Sequence, residues 1–146
     1  MVTATSTLYN STVSGNSALY GVGGIDQLYG TVTPQNSIVA NNSGGSCSGG
    51  VRSNGYNLSS SDATCDFKSR GDLNNMDPKP GPPRNNGGPT QTQALLSGSP
   101  AIDGGNPGGC TDGQGHLLKT DQRGMPRPDR EDAGGCNMGA YERQSD

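Results

Sequence analysis

"YNSTVSGNSA" (9–18) and "QNSIVANNSG" (35–44) are one phrase written twice, 26 residues apart, with Asn10 over Asn36 and Asn16 over Asn42. Each sets an apolar or β-branched pair, Thr12-Val13 or Ile38-Val39, between Asn-Ser and a second Asn. A looser echo follows in "SNGYNLSS" (53–60). Alternating runs such as Val2-Ala4-Ser6-Leu8 and "GTVT" (30–33) have the period of two that a strand requires. Between them stand Gly-Gly, Asn-Ser and Asn-Asn, residues that tolerate positive φ in tight turns. A repeat of this length, built of short strands and turns, predicts stacked rungs rather than a sandwich. Each rung would bury a few apolar side chains and pair its backbone with neighbours ~4.8 Å away. Aligned Asn and Ser would form ladders of side-chain hydrogen bonds in the turns.

Composition bounds the rest. The 146 residues fit one domain or a fragment of a larger one. Only 27% are hydrophobic, with one Phe and no Trp, which is poor material for an ordinary core. The 25 Gly and 10 Pro approach the level of disordered chains, but the net charge of −3 and the scarcity of charged residues argue for a solenoid instead. Mild acidity gives no basic footprint, so no nucleic-acid partner is expected. No apolar run approaches the ~20 residues of a membrane span. "MVTATSTLYN" lacks the basic start and apolar core of a signal peptide, so the chain is expected to be a mature segment or a fragment. Residues 1–50 hold one charged side chain, Asp26, and one proline, Pro34, while nine prolines crowd between Pro78 and Pro128. We therefore read rungs over 1–66 and a turn-rich second region over 67–146. Within the latter, "TQTQALLSGSPAID" (90–103) predicts a short helix or strand near Ala94-Leu95-Leu96, and "HLLKTDQ" and "MGAYE" further short strands.

Seven stretches together resemble a known family: "NSTVSGNSA", "NSIVANNSGG", "SNGYNLSSSDATC", "GDLNNMDPKPGP", "NNGGPTQTQALLSGSPAIDGGNP", "DQRGMPRP" and "GAYE". They are similar to the choice-of-anchor Q domain, the C-terminal part of bacterial surface proteins with a right-handed parallel β-helix. The resemblance implies an all-β fold, a short right-handed parallel β-helix of few rungs followed by an irregular C-terminal cap. It implies a secreted or cell-surface location and no agreed catalytic site. Pro80 and Pro83 stand where the family tends to Leu, and Asn137 where Asp is usual. An end rung without its neighbour would leave an open sheet edge, so self-association through the N-terminal rung is expected.

Four cysteines allow three pairings, and proximity favours Cys47 with Cys65 and Cys110 with Cys136. Each bridge would close a loop of about 20 residues, worth roughly 3 kcal/mol, and would imply an oxidising compartment. A zinc site has no CxxC or Cys-His spacing to support it. In "DQRG" (121–124), Asp and Gly occupy the favoured first and fourth positions of a type I turn. Asp121 would hold that turn while Arg123 reaches a carboxylate such as Glu142 or Asp103.

The alternative is a carbohydrate-active enzyme, a glycoside hydrolase or polysaccharide lyase with Asp103, Asp121 and Glu142 as its carboxylates and Arg123 or His116 assisting. Glycosidase chemistry needs two carboxyl groups ~5–5.5 or ~6.5–9.5 Å apart. "TDGQG" (111–115) and "GGNPGG" (104–109) are weak Ca²⁺ signals without the oxygen spacing of a known loop; no other cofactor is expected. Lone His116 reads as a surface residue. Tyr9, Tyr20 and Tyr29 would stack on sugar rings if exposed in a row, and core or edge packing is the favoured reading. The role expected is a structural or adhesive end module in contact with host or cell-surface glycans.

Overall fold

A computed structural model describes residues 3–60, 62, 64–130 and 135–145. Among them there is no helix, and six strands carry the order β1 (Thr5–Tyr9), β2 (Thr12–Ser14), β3 (Ile25–Gln35), β4 (Ile38–Ala40), β5 (Cys47–Val51) and β6 (Leu58–Ser59). They form two three-stranded sheets, β1-β3-β5 and β2-β4-β6. Every strand pair is parallel. The chain therefore visits the two sheets alternately, laying one strand in each before returning.

The register repeats the sequence spacing. Thr5 pairs with Thr31 and Thr12 with Ile38, each 26 residues on. Corners recur at the same places: Asn10, Asn36 and Tyr56 have φ of 50°, 51° and 57°, and Gly15 and Asn41 have 71° and 58°. Asn enters this left-handed region more cheaply than most residues. Ladders tie the corners together. Asn36 Nδ2 donates to Asn10 Oδ1 (2.8 Å) and Asn16 Nδ2 to Asn42 Oδ1 (3.1 Å). The third turn is shorter, with Leu58 only 20 residues beyond its partner Ile38. A fourth survives as the bridge from Leu58 to Leu73.

Strand β4 is buried on both faces and so divides the interior. Val39 points toward Cys47, Cys65 and Phe67, with Val13, Ile25 and Val51 packed around them. These come from both sheets, so this cluster lies between the two, inside the coil of alternating strands. Ile38 and Ala40 point the other way and join Leu58 to Leu95, Ala101 and Met138 of the second region. That region is thus a cap docked on the outer face of β2-β4-β6. Beyond Leu73, pairing among its described residues consists of isolated antiparallel bridges, including Pro80–Leu95, Thr111–Leu117 and Thr120–Pro126. Both cysteine pairs are closed, Cys47–Cys65 and Cys110–Cys136. Two disulfides suit an oxidising compartment. No helix among the described residues is long and apolar enough to cross a membrane.

Several local expectations are revised. "MGAYE" forms no strand, because its amides turn to partners on four different segments. Leu95 makes a single bridge and Leu96 is exposed, so no helix or strand forms there. Of the run Val2-Ala4-Ser6-Leu8, Val2 lies outside the described residues, and only Leu8 is even half-buried. Tyr20 and Tyr29 are 88% and 66% exposed rather than packed. Tyr29 falls in the irregular stretch between Gln27 and Val32, where β3 leaves its register.

Candidate functional site

The residues of "DQRG" close a turn in which the Gly124 N–H donates to the Asp121 carbonyl at 3.0 Å. The Asp121 carboxylate is saturated. Its Oδ1 accepts the amides of Arg123 (2.8 Å) and Met125 (3.1 Å). Its Oδ2 accepts Arg123 Nε (2.9 Å), Arg123 Nη2 (2.7 Å) and the Glu142 amide (2.9 Å). Arg123 goes on to the carbonyls of Asn86 and Glu142, and its guanidinium lies 3.7 Å from the centroid of the Tyr141 ring.

The Arg123 partner is therefore Asp121, two residues away, and not the side chain of Glu142 or Asp103. Glu142 pairs instead with Arg127, whose Nε donates to Oε2 at 2.8 Å. The Asn137 amide also donates to Glu142, and Arg127 Nη2 to the Gly139 carbonyl. Asp103 enters through its backbone, donating its N–H to Asn137 Oδ1, while the residue itself is exposed. Arg127 and Asn137 escaped the sequence reading as partners in this pairing. Neither stands in a periodic pattern, and a buried charge leaves no mark in composition.

The two pairs form a clasp on the last segment of the cap. Met138 donates to the Ala101 carbonyl and Gly139 to that of Asn36. The Ala140 amide reaches Thr12 Oγ1. Gly139, at φ 88°, lies so close to the coil that a Cβ there would stand 2.6 Å from Thr12 Oγ1. The segment is thereby pinned between the first two turns of the coil and the DQRG turn.

As chemistry, two of the three candidate carboxylates are closed, and Asp103 is the exposed one. The side chains of Asp121 and Glu142 are both 0% exposed. Neither can meet a glycosidic oxygen or a water without dismantling its own network. The Asp112 carboxylate of "TDGQG" stays at the surface, accepting the amides of Gln114 and His116 and facing the His116 ring, so it caps its own loop. Among the described residues no group of three or more His, Cys, Asp or Glu stands close enough to hold a metal ion. His116 is a surface residue with a 72% exposed side chain.

Burial pushes the Glu142 carboxyl up to about 7, against the opposing pull of Arg127 and the Asn137 amide; Asp129 adds to the rise. The folded chain then keeps a proton that the unfolded chain has lost once pH passes the ordinary value of 4.5. This contribution to stability is whole below that value and is lost as pH climbs to about 7. Thermal melts are expected to move down between pH 5 and 7.5, by an amount equivalent to roughly 3 kcal/mol at most. Glu142→Gln should flatten that slope. A parent melting point that stays level or rises across the window would contradict the burial argument. No protein-family profile, curated protein or solved structure matches this chain.

Proposed function

We propose that this chain is the C-terminal part of a short right-handed parallel β-helix, of choice-of-anchor Q type, and serves as the structural end module of a secreted or surface protein. The observation that carries the reading is the clasp. Of the three carboxylates that could have served catalysis, Asp121 and Glu142 are buried and engaged in fastening the cap to the coil, while Asp103 is exposed and takes no part in either pair. Parallel strands visiting two sheets in turn support the helical winding. Two closed disulfides support life outside the reducing cytosol.

Adhesion belongs to the same reading. Strand β1 pairs only with residues 31–35, so residues 25–30 of β3 have no described strand on that side, and Leu28 and Tyr29 are exposed there. A second copy pairing along this edge would cover them. Sedimentation that stays monomeric at high concentration would remove that part of the proposal.

A product-release assay on plant and microbial polysaccharides tests the module against an enzyme, with Asp121→Asn and Glu142→Gln beside the parent. No release from any substrate is expected, and both variants should melt lower. Release that vanishes in a variant still folded would make the cap an active site.

A further inference from the structure

Two hollows meet where the first turn of the coil faces the cap. The larger, about 420 Å³, is lined by residues that include Tyr9, Ser11, Thr12, Thr120, Gln122 and Ala140. The smaller, about 230 Å³, includes Thr12, Gln91, Gln93, Gln122, Ala140 and Tyr141. Thr12, Gln122 and Ala140 belong to both, so the two are lobes of one groove of small-ligand size.

The charges in its wall are spent. Asp121 and Arg127 contribute to the larger lobe, but their side chains are 0% and 2% exposed and each is paired. What the groove offers a ligand is uncharged. The amides of Gln91 and Gln93 and the hydroxyls of Tyr9, Thr120 and Tyr141 make no hydrogen bond to any described residue. Gln122 uses its amide nitrogen on Thr90.

Both aromatic rings are set in place without a ligand. Tyr9 packs on Gly113, where a Cβ would stand 2.9 Å from the ring. Tyr141 carries the Arg123 guanidinium on one face. A sugar ring presents an apolar C–H face and a rim of hydroxyls that both donate and accept. Fixed aromatic rings suit the face, and amides, which also do both, suit the rim. An anion would require a free Arg or Lys fork, and a cation a free carboxylate. The described lining residues supply neither.

We infer that this groove binds a neutral oligosaccharide, with Tyr9 and Tyr141 against the sugar faces and Gln91, Gln93 and Gln122 on the hydroxyl rims. The inference deepens the surface-module reading and rests on it for placing the chain among extracellular glycans.

Titration calorimetry of the intact chain tests it, using xylan-, glucan- and mannan-derived oligosaccharides beside uronic-acid oligomers. At least one neutral oligosaccharide should bind saturably, and the uronic-acid series should not bind. Gln91→Ala with Gln93→Ala should weaken binding by about tenfold or more without moving the melting point, since neither side chain bonds to a described residue. Tyr20→Ser with Tyr29→Ser, outside the groove, should bind like the parent. The inference is overturned by any of three results: binding kept in the glutamine variant but lost in the tyrosine variant, preference for uronic acids, or no neutral ligand at all. In the last case the product-release and melting experiments above still decide the structural reading alone.

Discussion

Asp121→Ala is expected to lower the melting point by roughly 10 °C, the largest effect of any single charged side chain. Its carboxylate collects five donors from three residues, Arg123, Met125 and Glu142. Removing it strands the Arg123 guanidinium, which is 5% exposed, without its carboxylate. Breaking one member of a buried pair costs about 3–5 kcal/mol, a large share of the ~5–15 kcal/mol that holds a typical domain. For a chain of this size each kcal/mol moves the melting point by about 3 °C. Arg123→Ala should cost a similar amount. The double variant should cost much less than the sum of the two, because no charge is then left buried alone. Additive losses, or a shift under about 2 °C for Asp121→Ala, would show that the clasp does not hold the cap.

Reduction of the disulfides should be more drastic still. The bridges close loops with sequence separations of 18 and 26, each worth about 3–3.5 kcal/mol by the chain-entropy argument. Together that is comparable to the entire stability of a small domain, and the core has few large side chains to offset the loss. The fully reduced chain should therefore lose its cooperative melt at 37 °C. The single bridges should differ in where the damage falls. Cys47 and Cys65 belong to the cluster inside the coil, so their replacement by Ser should weaken all turns together. Cys110 and Cys136 lie in the cap, where the Gly105 amide donates to the Cys136 carbonyl and Asn36 reaches across to Asn137. Their replacement should first release hydrogen-exchange protection at Gly105, Met138 and Gly139. A reduced protein that melts within a few degrees of the oxidised one would refute the role given to both.

The parallel pairing of strands was legible because its determinants are local and repeat. A strand stacked on a copy of itself needs the same residue types one turn later, so the register of 26 stands in the text as Asn10 over Asn36 and Asn16 over Asn42. The cysteine pairs were legible for a related reason, since each closes within one short loop. The DQRG turn was readable from the Asp and Gly at its ends, and its closing bond is the expected one.

Charge pairing was not readable in this way. Arg123 pairs with Asp121 and Arg127 with Glu142, an assignment that depends on the docking of the 137–142 segment, whose Glu142 amide also donates to Asp121. That segment is placed by contacts with Ala101, Asn36 and Thr12, up to 128 residues away, which follow no period. Exposure behaved likewise: Tyr9, Tyr20 and Tyr29 look alike in sequence, yet of the three Tyr9 has the cap loop at Gly113 packed against one side of its ring and is half-buried. The amino-acid sequence by itself determined the repeating strand unit, its corners and its cross-links, because these answer to neighbours in the chain and to a fixed repeat. The tertiary structure alone decided which charges vanish into a clasp and which polar groups line a groove. Burial depends on what packs from afar, and no single residue carries that information.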